Sequence, residues 1–315
     1  MINADRVQQW KTDIAKSVQM YNDWFFEAAP QAFKDSRMSA VEQVLNAFSV
    51  TDQMRSLTLS VLRRAPQIVS VLRMMAAPPL ARDRLAGLSE VRTRGFIKVL
   101  EDGRLPKRMD SEALDSELQR ICKVIAQLLD SQLMPWIGEM QAPDEEDRYL
   151  AAMVIADRLC SAISDPIIRN AQEARQLAAV FEYLDSLGYS RATVPKAGFK
   201  DMREGTYALR ANVMAGINKP VNIPADVLIQ PKMLRESGLP ILIECKSAGD
   251  YANTNKRRKE EAQKVHQLRE SYGNRVEFVL FLCGYFDSGY LGYEAAEGID
   301  WIWEHRIEDM RGLGL

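Results

Sequence analysis

The sequence predicts a mixed α/β protein, with a helical region over residues 1–165 and an α/β domain over residues 166–315. Three observations carry that prediction. Apolar and aromatic side chains recur at spacings of three and four through the first half, the period of helices with one buried face. The texture changes at Asp165-Pro166, because proline breaks a helix interior and biases its predecessor toward extended backbone. Beyond it the order reads helix, strand, strand, strand, helix, strand, the pattern of a sheet flanked by helices.

The first helix is expected over 5–28, where Trp10, Ile14, Val18, Tyr21 and Phe25 recur with charges between them. Further helical patterns cover 39–49, 110–136 and 145–163, while Ala65-Pro66 and Ala77-Pro78-Pro79 interrupt the periodicity. After the change of texture a helix is expected over 167–187, closed by Gly188 as a C-terminal cap. Segments rich in β-formers at 206–215, 221–230 and 240–247 predict three strands. A charged helix over 255–272 ends at Gly273, and the run VEFVLFLC at 276–283 reads as a buried strand.

Composition narrows the chemistry. Of 315 residues, 47% are hydrophobic, and no stretch offers the roughly eighteen uninterrupted apolar residues of a spanning helix. The opening MINADRVQQW lacks the apolar run of a secretory signal, so a cytoplasmic protein with no membrane association is expected. Cys122, Cys160, Cys245 and Cys283 lie far apart, which argues against a disulfide framework and against a cysteine zinc site. His266 and His305 show no paired-ligand spacing, and no glycine-rich phosphate loop occurs, so no nucleotide cofactor is expected. Forty-one basic against 43 acidic residues give a net charge of −2, so a polyanion must be met by a local basic face. Carboxylate chemistry remains.

Two lines stand out, Pro224-Ala225-Asp226 and Glu244-Cys245-Lys246. Side chains alternate faces along a strand, so Glu244 and Lys246 share one side while Ile243 and Cys245 take the other. Pro231, Gly238 and Pro240 mark a connection centred near residue 235, and a hairpin symmetric about it sets Asp226 opposite Glu244. Opposed carboxylates repel unless something neutralises them. Mg²⁺ is suited to this, since it takes one or two carboxylates together with waters and substrate phosphate oxygens; Mn²⁺ is expected to substitute. With a lysine beside them to orient or activate water, the fitting chemistry is metal-assisted phosphodiester hydrolysis. On helix 167–187, Glu173 falls four residues before Leu177 on a stripe continued by Val180 and Leu184. An inward carboxylate needs a partner. Glu173 either adds a metal ligand or pairs with an arginine such as Arg169 or Arg175.

Asp226, seventeen residues, then Glu244-Cys245-Lys246 within an αβββαβ order resembles the PD-(D/E)XK nuclease superfamily over about residues 166–285. The leading pair departs from the superfamily pattern, because Ala225 separates Pro224 from Asp226. More narrowly, RNAQEARQL (169–177), VNIPADVLIQPK (221–232) and APPLARDRL (77–85) resemble XamI-type restriction endonucleases. That resemblance implies a restriction-endonuclease-like core and a type II enzyme cutting double-stranded DNA at a short palindrome such as GTCGAC, leaving 5′-phosphates. It makes Asp226 and Glu244 metal ligands, Lys246 the catalytic lysine and Glu173 an accessory helix acid. A palindromic target favours a homodimer, because protein symmetry then mirrors DNA symmetry.

Phosphate contact needs basic side chains. Lys256-Arg257-Arg258-Lys259 opens the helix after the catalytic strand, and between 82 and 108 eight basic residues, beginning with Arg82 and Arg84, face four acids. Either stretch is also readable as a solvated surface. The helical region is expected to serve DNA recognition, dimerisation or both. Two rival functions share these residues: a repair or junction-resolving nuclease with the same core, and a non-catalytic DNA-binding or adaptor protein.

Overall fold

The computed structural model describes residues 1–138, 142–161, 164–216, 220–233, 235–252 and 254–315, and for 164–165 and 255–258 the backbone alone. The chain forms two units, Met1–Pro30 together with Ile168–Leu315, and Gln31–Ile167. The first thirty residues, grouped by sequence with the helical region, thus belong to the strand-bearing unit.

The described residues before Ser164 form the helices α1 (Val7–Val50), α2 (Leu59–Arg64), α3 (Val69–Met74), α4 (Arg82–Leu88), α5 (Phe96–Glu101), α6 (Ser111–Leu128) and α7 (Glu145–Ser161). Two expected helices, 5–28 and 39–49, are one: α1 runs through Pro30. The ring removes the N–H that would pair with the carbonyl of Phe26, and at that residue, 76% exposed, water can take the carbonyl instead. Helix α6 stops at Leu128 rather than continuing to 136, because Leu129 turns extended and bridges to Ala76. At its other end the Asp110 carboxylate accepts the Ala113 N–H at 2.8 Å, closing one of the unpaired donors of the first turn. The unit Gln31–Ile167 packs around a single apolar cluster that includes Val44, Phe48, Leu62, Leu72, Ile121 and Ile155.

The strand-bearing unit begins its own succession with α8 (Ser164–Ser186), followed by β1 (Ser190–Arg191), β2 (Thr206–Ala215), β3 (Val221–Gln230), β4 (Ile241–Ala248), α9 (Thr254–Tyr272), β5 (Phe278–Gly284), α10 (Ser288–Ala296) and β6 (Asp300–Trp303). The strands form one mixed sheet in the order β1-β2-β3-β4-β5-β6. Strands β2, β3 and β4 are antiparallel neighbours, whereas β4, β5 and β6 run parallel, with α9 and α10 as the crossovers that parallel pairing requires. Residue parity decides what each face meets. Val227, Ile229, Ile241, Ile243 and Phe281 pack under Leu177, Val180 and Leu184 of α8. Their neighbours Leu228, Leu242, Leu280 and Leu282 face Val265 and Leu268 of α9 and Tyr290 of α10. A sheet covered on both sides explains the uninterrupted apolar run in β5.

One glycine is required here. Gly284 ends β5 at φ +104°, and a Cβ there would stand 2.1 Å from the Ala248 carbonyl oxygen, so the close approach of β4 and β5 beyond Lys246 depends on it. Among the described residues no helix is long and apolar enough to cross a membrane.

Candidate active site

The hairpin register follows the expected symmetry and then breaks off. Val227 pairs with Ile243, Leu228 with Leu242 and Ile229 with Ile241, so Asp226 and Glu244 lie one step beyond the last paired residues rather than within the ladder. There the strands part. The Asp226 carboxylate fills the gap by accepting the Cys245 N–H at 2.7 Å, giving a main-chain donor an acceptor at the point where the ladder supplies none. Strand separation therefore opens a concavity, and the same hydrogen bond fixes one acid in it.

Glu244, Lys246 and Asp226 come together there. The Lys246 ammonium donates to Glu244 Oε1 at 2.9 Å, and both side chains line the cavity with Asp226, Glu173 and Gln176. Burial, and then the neighbouring Glu244 charge, push the Asp226 carboxyl up to about 6. Burial alone would lower the Lys246 amine, but the carboxylates of Glu244 and Glu261 outweigh it and raise its pKa. Lys246 is therefore an ammonium at neutral pH, a charged donor rather than a base.

Glu173 is placed differently from its expectation. Gln172 and Gln176 are the buried residues of that stretch of α8, on the stripe that continues to Val180 and Leu184. Glu173 flanks this stripe, its side chain 38% exposed, and pairs at 3.1 Å with Arg210 of β2, not with Arg169 or Arg175. It lines the cavity, partly exposed. Gln176 has its amide within 3.3 Å of the main-chain oxygens of both Lys246 and Phe281, bracing β4 against β5.

Two residues of α9 join the site without having been read from the sequence. Glu261, 1% exposed, stands 3.2 Å from the Lys246 ammonium, and Lys264 donates to Glu244 Oε1 at 2.6 Å. Glu261 was legible by the stripe argument used for α8: it precedes the buried Val265 by four residues and Leu268 by seven. The high charge of α9 conceals that stripe.

The donor set fits a hard divalent ion. Among the described residues no three acidic, histidine or cysteine side chains form a group that could hold a metal ion. Two carboxylates in an open concavity, with the balance left to water and substrate oxygens, is the manner in which Mg²⁺ is commonly held. Burial, and after it the Glu244 charge, raises the Asp226 pKa, and a cation at the two carboxylates would favour the ionised form against both.

Of the residues expected to contact DNA, Lys256, Arg257 and Arg258 have side chains outside the described set, and Lys259 is exposed. In the unit Gln31–Ile167, Arg82 is tied to Glu101, which also accepts from Arg73 at 2.7 Å. Lys98 and Arg104 both engage Asp102. Arg84, Arg92, Arg94, Lys107 and Arg108 are exposed with no ion-pair partner among the described residues.

The sequence profile of the XamI restriction endonuclease family matches residues 52–303. Type II restriction enzyme SalI of Streptomyces albus G is 50% identical over 315 residues, spanning all of both chains. Type II restriction enzyme XamI of Xanthomonas campestris pv. amaranthicola is 27% identical over 188 residues, 59% of this chain and 60% of its own. A solved structure of protein VC1899 from Vibrio cholerae aligns over 79% of this chain and 53% of its own at 13% identity, with a TM-score of 0.30, too slight a likeness to bear on fold or function.

Proposed function

Since the chain belongs to the XamI restriction endonuclease family and is on that ground a type II restriction endonuclease acting on DNA, we propose that it hydrolyses both strands of duplex DNA at GTCGAC, using Mg²⁺ and leaving 5′-phosphates. The observation that carries the proposal is the meeting of Asp226, Glu244 and Lys246 in one concavity where β3 and β4 part. The core is then of the PD-(D/E)XK type, and the repair-nuclease and adaptor readings are set aside with the family assignment.

In this proposal Asp226 and Glu244 hold the cation, which when bound polarises the phosphoryl group and acidifies water. The chain's own groups set the geometry. Cys245 N–H fixes the Asp226 carboxylate, so one ligand is placed before substrate arrives. Lys246, kept charged by Glu244 and Glu261, donates to the attacking water and to the charge that grows on the phosphate. Glu261 keeps the ammonium aimed at the cavity. Glu173 has an accessory role at the rim, where its carboxylate is shared with Arg210. A homodimer places two such sites across a palindrome, and the unit Gln31–Ile167 serves recognition or dimerisation.

Digestion of DNA of known sequence with purified protein and Mg²⁺ tests the reading: discrete fragments with ligatable ends inside GTCGAC are expected, none form in EDTA, and cleavage unaffected by EDTA contradicts it. Glu173→Gln is expected to slow single-turnover cleavage by about tenfold, a rim effect well below that of losing a group on the floor; a loss as large as that of Lys246→Ala would show the accessory role to be wrong. Neutralising Arg84, Arg92 and Arg94 together should weaken DNA binding and flatten its dependence on salt by about one unit of slope for each phosphate left without its cation. Filter-binding titrations across a salt series read this, and an unchanged slope removes that surface from the DNA footprint. Arg82→Ala should lower stability more than DNA affinity, because its guanidinium is engaged by Glu101.

A further inference from the structure

Two ammonium groups converge on a single oxygen. Glu244 Oε1 accepts from Lys246 at 2.9 Å and from Lys264 at 2.6 Å, on a side chain 9% exposed. The two lysines are not equivalent. Lys246 is shared with Glu261 at 3.2 Å, an acid that is itself buried and holds the amine in place. Lys264, its side chain 22% exposed, has Glu244 as its sole carboxylate among the described residues. One lysine is fixed by two partners, and the other can swing away by giving up a single ion pair.

We propose that Lys264 is the counter-ion of Glu244 while no divalent cation is present, and that it yields this carboxylate when the cation binds. The inference rests on reading Asp226 and Glu244 as the metal-holding pair. An ammonium and a divalent ion compete for the same lone pairs, and at contact distance their repulsion in a partly buried setting is large. A resident ammonium therefore weakens binding of the cation to the DNA-free protein. Once displaced it remains a flexible cation at the edge of the cavity, where a phosphate oxygen is a suitable acceptor. Glu244 thus keeps a positive partner at every stage, which a carboxylate this buried requires.

Isothermal titration of the DNA-free protein with Ca²⁺, another hard oxygen-seeking ion, tests this directly on wild type, Lys264→Met, Lys264→Arg and Asp226→Asn. Lys264→Met keeps the aliphatic stem and should bind Ca²⁺ about tenfold more tightly than wild type, whereas Lys264→Arg should stay near wild type. Poorer packing or partial unfolding weakens binding, so a gain in affinity cannot come from damage. Lys264→Gln serves as a second neutral variant should methionine perturb the helix. Ca²⁺ affinity in Lys264→Met equal to or below that of wild type, with binding lost in Asp226→Asn, overturns the role of Lys264 and leaves the metal pair standing. Wild-type affinity in Asp226→Asn overturns the metal pair and this inference with it, as does the absence of binding in wild type and both neutral variants.

Discussion

Lys246→Ala is expected to reduce DNA cleavage by about 10²–10³-fold while the protein still binds its DNA. The magnitude follows from the role given to the amine, a fixed positive donor in the cavity, since removing a preorganised donor to developing charge usually lowers rates by that much. The substitution has a second effect that must be separated from the first. It leaves Glu261, 1% exposed, without its cation, and an acid stranded in this way destabilises the fold by several kcal/mol or takes up a proton. Glu261→Gln in the same background removes the stranded charge. The double variant should recover stability in thermal melts and remain inactive in single-turnover cleavage. Recovery of cleavage together with stability would mean that Lys246 acts only as a structural partner of Glu261.

Asp226→Asn should abolish cleavage and at the same time stabilise the metal-free protein at neutral pH. The folded state holds the Asp226 carboxyl at about 6, against an ordinary 3.8, through burial and the Glu244 charge. The native state therefore binds this proton more tightly than the unfolded chain. Stability contributed by the site is greatest at low pH and is lost as pH rises through the interval from about 4 to about 6. At pH 7 the ionised acid weakens the fold by at most about 3 kcal/mol, less where solvent screens it. Asparagine removes that penalty and keeps an oxygen to accept the Cys245 N–H. Thermal melts should show the variant above wild type at pH 7 and level with it near pH 4. Addition of Mg²⁺ should raise the wild-type midpoint, because a ligand of the folded state stabilises by mass action, and leave the variant unmoved. A variant less stable than wild type at pH 7 that still responds to Mg²⁺ contradicts both roles given to Asp226.

The strand pair that carries these residues was legible because three independent signals agree there. Alternation put Glu244 and Lys246 on one face, turn residues set the hairpin centre, and the resulting register is the one observed at Val227 and Ile243. What alternation cannot convey is where a ladder ends. The separation of β3 and β4 at Asp226 is decided by the side chain capturing the Cys245 N–H, an interaction invisible to a period of two. Helix α8 was found, yet Glu173 was given the interior position that Gln172 holds, because on a narrow apolar stripe a rotation of one residue exchanges them. Glu261 and Lys264 were hidden for the opposite reason: α9 is so charged that its buried face does not stand out until the helix is laid on the sheet. In the helical region the passage of α1 through Pro30 shows an interior proline tolerated where the residue four before it, Phe26, is exposed.

All of these results depend on one cation held jointly by an acid from β3 and an acid from β4. Crystals of the protein soaked in Mn²⁺ and measured at the manganese absorption edge report this directly. The anomalous map should place a peak at about 2.1–2.3 Å from oxygens of both Asp226 and Glu244, with the Lys264 amine withdrawn from Glu244. Manganese located away from these two carboxylates, or bound with neither of them as a ligand, would contradict the assignment of this cavity as the hydrolytic centre.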